Sequence, residues 1–130
     1  MKLRTLALSA ALALAASVAP GLAAQTATFE DVTAGLAKGE IVLVDIREPD
    51  EFVSGHVPGA INLPLSRLTP AALPRPADKK VVIMCRSGNR SGRLASMLPK
   101  VGREDIIDYS GSMIDWTRRG RRCWRGRSTS

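Results

Sequence analysis

Four apolar residues in a row, Val81-Val82-Ile83-Met84, end at Cys85, and the next six positions are all glycine, polar or cationic. A short β-branched run, fenced by Lys79-Lys80 on one side and a Gly/Ser loop on the other, predicts a buried strand. Arg86-Ser87-Gly88-Asn89-Arg90 form the loop, and Ser91 is predicted as the N-cap of a helix that Leu94, Met97 and Leu98 line on one face. A strand, a tight loop opening with cysteine and a helix N-terminus make a cradle for an anionic sulfur. Loop N–H groups can turn inward, the helix dipole adds partial positive charge, and Arg86 and Arg90 add full charges. All three favour thiolate over thiol, and the thiolate is the nucleophile. A cysteine that only packs a core has no use for such neighbours.

The rest of the chain repeats the alternation of strand and helix. Thr28 and Asp31 have the form of a capping box, and Phe29, Val32, Leu36 and Ala37 continue at helical spacing to Gly39. Ile41 to Val44 is a second buried strand, ending in Asp45-Ile46-Arg47. Glu48 to Val53 predicts a short helix with Pro49 in its first turn and Gly55 as its stop. His56 to Gly59 reads as a turn and Ala60 to Leu63 as a short strand. Leu65 to Leu73 is weakly helical and broken by Pro70, and residues 74–78 form an extended linker. Asp105 to Tyr109 is a further strand, and Gly111-Ser112 introduces a helix carrying Met113, Ile114 and Trp116 that ends at Gly120. This order predicts an α/β fold with a small, mainly parallel sheet flanked by helices. Sites in such sheets form beyond the carboxyl ends of the strands, which puts Asp45, Arg47 and Cys85 at one mouth.

At 130 residues the chain is one domain, and its ends read differently from its body. Met1 to Arg4 is short and cationic, Leu6 to Val18 is an Ala/Leu run, and Pro20-Gly21 precede small residues. Residues 1–24 therefore read as a secretory signal peptide, which predicts a periplasmic or secreted protein with no stable membrane insertion after cleavage. Thr5 to Ala24 carries no charge, so length alone also fits an uncleaved anchor; the Pro-Gly break and small residues favour cleavage. The domain is predicted over 25–120. The formal charge of +7 comes mostly from six arginines at positions 118–127, and residues 25–117 hold eleven Lys/Arg against twelve Asp/Glu. The basic end, 121–130, is predicted as a solvated, largely disordered tail, with no nucleic acid expected as a partner outside the cytoplasm.

Two cysteines and one histidine are too few for a closed zinc site of Cys and His ligands. In an oxidising compartment Cys85 and Cys123 could be joined, which would cap the nucleophile; sequence leaves this open. His56 is expected to bond into the turn before Pro58-Gly59 rather than act as a base, since a thiolate needs none.

The spacing Cys85 to Arg90 is Cys-x4-Arg, one residue shorter than the Cys-x5-Arg loop of tyrosine-type phosphatases. A smaller ring of amides suits a persulfide or the end of thiosulfate better than a phosphoryl group. Three stretches resemble the rhodanese (sulfurtransferase) family: LVDIREPDEFVSGHVPGAINLP (43–64), CRSGNRS (85–91) and GSMIDW (111–116), where Ser112 departs from the family's second glycine. The resemblance implies a rhodanese-like fold without metal or organic cofactor. It implies that Cys85 takes sulfur from thiosulfate or a persulfide donor and passes it to a thiol or cyanide acceptor. Backbone amides of Arg86, Ser87, Gly88, Asn89 and Arg90 would hold the persulfide, and the two arginines would attract the donor. Asp45 and Arg47 resemble the family's support for the loop, against a plain strand-end salt bridge as the other reading. A persulfide carrier or redox-sensing module, and a small phosphatase or arsenate reductase on the same scaffold, are the competing functions.

Overall fold

The computed structural model describes residues 24–127. Five parallel strands form one sheet in the order β1-β5-β4-β2-β3: β1 Gln25–Thr26, β2 Ile41–Asp45, β3 Ile61–Asn62, β4 Lys80–Met84 and β5 Ile106–Asp108. Four helices connect and cover them: α1 Phe29–Lys38, α2 Pro49–Ser54, α3 Asn89–Met97 and α4 Ser112–Arg118. The predicted α/β sheet is therefore present and wholly parallel. The weakly helical stretch 65–73 resolves into two single 3₁₀ turns, Leu65–Arg67 and Pro70–Ala72, because Pro70 removes a donor in the middle of the run. Gln25–Thr26 adds an edge strand that two polar residues did not announce.

Side-chain alternation along β2 and β4 divides the core in two. Leu43, Val82 and Met84 face α1, α2 and α4 through Val32, Phe52, Met113 and Trp116. Val44, Val81, Ile83 and Cys85 face α3 through Ala95 and Leu98. With both sheet faces covered, β2 and β4 are apolar throughout, which is why each reads as an unbroken hydrophobic run.

Two expectations about α3 need correction. Its N-cap is Gly88, in the left-handed conformation, and Ser91 lies inside the first turn, fully buried. The buried face is Ser91, Ala95 and Leu98, so Met97 falls on the solvent side at 61 % exposure.

The basic end is also not free over its described part. Trp124 and His56 exchange backbone hydrogen bonds at 2.7 and 2.8 Å, and Gly126 N–H donates to Val53 O at 2.8 Å. Guanidinium planes explain how so cationic a stretch packs: Arg119 lies over Phe29 at 4.5 Å and Arg121 over Trp116 at 5.4 Å. The predicted leader, up to residue 23, and residues 128–130 lie outside the described residues.

Candidate active site

The site is built at the carboxyl end of β4, where the chain leaves the sheet at Cys85. Two amides at the start of α4 hold the departing chain: Met113 N–H donates to Cys85 O at 3.1 Å and Ile114 N–H to Arg86 O at 3.0 Å. The loop then turns at Gly88, with φ of 91°, and enters α3. A Cβ at Gly88 would stand 2.1 Å from the carbonyl oxygen of Ser110, so this position admits only glycine on two independent grounds. The turn aims Gly88 N–H at Cys85 Sγ, 3.1 Å away.

Around the sulfur, opposing effects compete. Burial pushes the Cys85 thiol up, but the Ser91 backbone N–H and hydroxyl, the Gly88 N–H and the Ser112 hydroxyl together hold it below the ordinary cysteine value. Of the amides predicted to hold the sulfur, Gly88's makes the hydrogen bond, and Ser91, beyond that set, helps to hold the thiol low. Ser87 and Asn89 are exposed. Cys85 itself has 0 % exposure, so a reactant meets its sulfur only through the loop that covers it.

The two arginines of the loop are placed differently. Arg86 is exposed and makes no ion pair among the described residues. Arg90 is clamped by both carboxylate oxygens of Glu51, at 2.9 and 2.8 Å. The guanidinium holds the Glu51 carboxyl down to about 2. Arg90 thus ties the first turn of α3 to α2, and Arg86 remains as the cation available to an anionic reactant.

Asp45 and Arg47 are buried, at 0 % and 6 % exposure, rather than a surface pair. Arg47 grips Asp45 through Nε and Nη2 at 2.7–3.0 Å and donates to the Glu51 and Gly55 carbonyls at 3.3 and 2.8 Å. Asn62 closes the arrangement from β3, donating to the Asp45 and Arg47 carbonyls at 2.9 and 2.8 Å. The pair touches α2 directly and the cysteine loop only through it, by way of Glu51 and Arg90. His56 is structural: Nδ1 donates to Phe52 O at 2.8 Å and the imidazole stacks on the Phe52 ring at 3.6 Å.

Both cysteines are free thiols, Cys85 in the core layer facing α3 and Cys123 against the opposite layer. The disulfide left open by sequence is not formed in this structure. A cleft of about 460 Å³ beside the loop is lined by Arg86, Met113, Ile114, Thr117, Cys123 and Arg125. A larger cleft, about 830 Å³, lies at the amino ends of β2 and β4 and has no cysteine in its lining.

Asp108, at the end of β5, was not singled out from sequence. It is 4 % exposed, its Oδ1 has no hydrogen-bond partner, and its Oδ2 faces the first turn of α3 at Gly92. Burial raises its carboxyl, against a smaller opposing effect of the Ser91 hydroxyl. A raised acid binds its proton more tightly folded than unfolded. Its contribution is therefore complete below the unfolded value, ~3.9, and is lost as pH climbs through the folded one. Asp108→Asn should gain stability relative to the parent between pH 4 and pH 8 in paired thermal unfolding. A constant difference between the two proteins across that range would show that Asp108 ionises freely.

Comparison with known proteins agrees with this geometry. Residues 28–119 match the family described as Rhodanese-like domain. An uncharacterized protein of Synechocystis is 45 % identical over 80 residues, 62 % of this chain and 45 % of its own length. The chain therefore spans less than half of that relative. A thiosulfate:glutathione sulfurtransferase of Saccharomyces cerevisiae is 33 % identical over 112 residues, covering 74 % of this chain and 80 % of the yeast protein. The solved human single-domain sulfurtransferase superposes with a TM-score of 0.62 at 27 % identity, covering 73 % of this chain and 96 % of that one.

Proposed function

This chain belongs to the rhodanese-like family, and from that premise we propose that it is a sulfurtransferase carrying sulfane sulfur from thiosulfate to a thiol or cyanide through a Cys85 persulfide. The observation that carries the reading is the Cys85 sulfur facing the Gly88 N–H at 3.1 Å, at the N-terminus of a nine-residue helix. This placement favours a sulfur anion without any basic side chain. The names of the yeast and human relatives support the same class of chemistry.

In the first step the Cys85 thiolate attacks the outer sulfur of thiosulfate. A sulfur–sulfur bond forms, the sulfur–sulfonate bond breaks with its electron pair, and sulfite leaves. The extra negative charge now sits on the terminal persulfide sulfur. In the second step an acceptor thiolate or cyanide takes that sulfur, and the electron pair of the broken bond restores the Cys85 thiolate. No net proton or electron is needed from outside. Arg86 draws the dianionic donor towards the loop mouth, and Gly88 and Ser91 hold the anion at each stage.

Steady-state formation of thiocyanate from thiosulfate and cyanide tests the proposal. Parallel double-reciprocal lines, the mark of a two-step covalent cycle, are expected, with Cys85→Ser at background. Intersecting lines, or equal activity in Cys85→Ser, would remove the persulfide from the route.

We also propose that the protein acts outside the cytoplasm. Support comes from the apolar run Leu6 to Val18 with its cationic start and Pro-Gly break. Cell fractionation would test it, with recovery in the periplasm or medium as the expected result and in the cytosol as the contrary one.

A further inference from the structure

Ser112 is the one non-glycine residue with a positive φ among those described, at 55°. It is fully buried at the first position of α4. A Cβ makes this left-handed conformation unfavourable, and strain of this kind persists where the surroundings gain from it. What Ser112 holds in return is a hydroxyl against the nucleophile. Its Oγ accepts the Cys85 backbone N–H at 3.0 Å, donates to Tyr109 O at 2.9 Å, and stands 3.9 Å from Cys85 Sγ.

We propose that Ser112 is a positioning residue for the nucleophile, seating the Cys85 backbone and turning its hydroxyl proton to the sulfur when that sulfur is charged. The inference rests on Cys85 being the reactive group. A hydroxyl has one proton to give, and here it has two acceptors. While the sulfur is neutral, the closer Tyr109 carbonyl takes it. Once the sulfur is a thiolate or a persulfide anion, the charge competes for it. The swing leaves no orphan, because Tyr109 O also accepts the Ser112 backbone N–H at 3.1 Å. A glycine at this position would adopt the same φ without strain but would bring no donor.

Two substitutions separate this role from simple packing. Ser112→Gly removes the strain and the hydroxyl together; Ser112→Ala removes the hydroxyl and keeps the strain. The full chain is alkylated with iodoacetamide between pH 5 and pH 10, and modification at Cys85 is read by peptide mass so that Cys123 does not interfere. Both variants should shift the Cys85 inflection upward, with roughly tenfold slower alkylation below it, the effect expected of one lost hydrogen bond to a charged group. Both variants leave the buried Cys85 N–H without its acceptor and should unfold below the parent, Ser112→Gly less so than Ser112→Ala because it also relieves the strain. Profiles that superimpose on the parent's would overturn the proposal and leave Ser112 as a cap on the Tyr109 carbonyl. Persulfide formation by the parent, measured alongside, keeps the two ideas distinguishable. Its absence would refute sulfur transfer, whereas the alkylation profile alone judges Ser112.

Discussion

Replacement of Gly88 by alanine is expected to slow persulfide formation at Cys85 by roughly 100-fold or more, the scale of loss that follows a misplacement of about 1 Å at a reacting centre. The added methyl would lie 2.1 Å from Ser110 O and 3.0 Å from Ser110 C, and both are backbone atoms that cannot swing aside. The φ of 91° adds a second penalty. To relieve both, the loop must move away from the turn before α4, and Gly88 N–H then leaves the sulfur. Gly102→Ala is the control, since Gly102 also has a positive φ, at 79°, but open space around its missing Cβ. It should cost about 1 kcal/mol of stability and leave the chemistry unchanged. A Gly88→Ala protein reacting at the parent rate would mean that the observed loop geometry is not the one that reacts.

Truncation of Arg47 to methionine should lower stability by about 3–5 kcal/mol, the usual result of stranding one partner of a buried ion pair. Asp45 would stay at 0 % exposure without its cation, and the Glu51 and Gly55 carbonyls would lose a donor. For a domain of this size the unfolding midpoint should fall on the order of 15 °C. Alkylation of Cys85 should also slow at temperatures where the variant is still folded, because α2 would hold Glu51, and through it Arg90, less firmly. Changing Asp45 to leucine together with Arg47→Met should recover much of the stability, since the stranded charge is then gone. An Arg47→Met protein within ~1 kcal/mol of the parent, measured by denaturant unfolding, would contradict the buried-pair account.

Much of this arrangement is legible in the sequence because it is local. Buried parallel strands are apolar on both faces, so β2 and β4 appear as unbroken runs whose ends mark the mouth. Thr28 and Asp31 exchange the predicted capping-box bonds at 3.1 and 2.9 Å, and Gly39 closes α1 in the left-handed conformation. What stays hidden depends on residues far apart in sequence. Glu51 and Arg90 are 39 positions apart, and neither shows that Arg90 is neutralised in place. The partner of His56 is a backbone 68 residues on, at Trp124, which a reading by composition assigns to a free tail. Ser91 illustrates a different difficulty. Serine three residues into a loop-to-helix junction resembles a cap, yet here its hydroxyl turns inward, towards Gly88 O at 3.4 Å and the sulfur. Buried at that position, the hydroxyl caps no helix N–H and instead bears on the Cys85 thiol, helping to hold it low. Ser112 did leave a signal, as a serine where the family has glycine, and its left-handed backbone explains why glycine suits the site.

The central claim is that one sulfur, kept anionic by backbone N–H groups and two hydroxyls, takes a second sulfur from thiosulfate. The mass of the intact protein before and after exposure to thiosulfate measures this directly. A gain of one sulfur atom, located at Cys85, removed by cyanide and missing in Cys85→Ser, is the predicted result. An unchanged mass in the parent, or the same gain in Cys85→Ser, would contradict it.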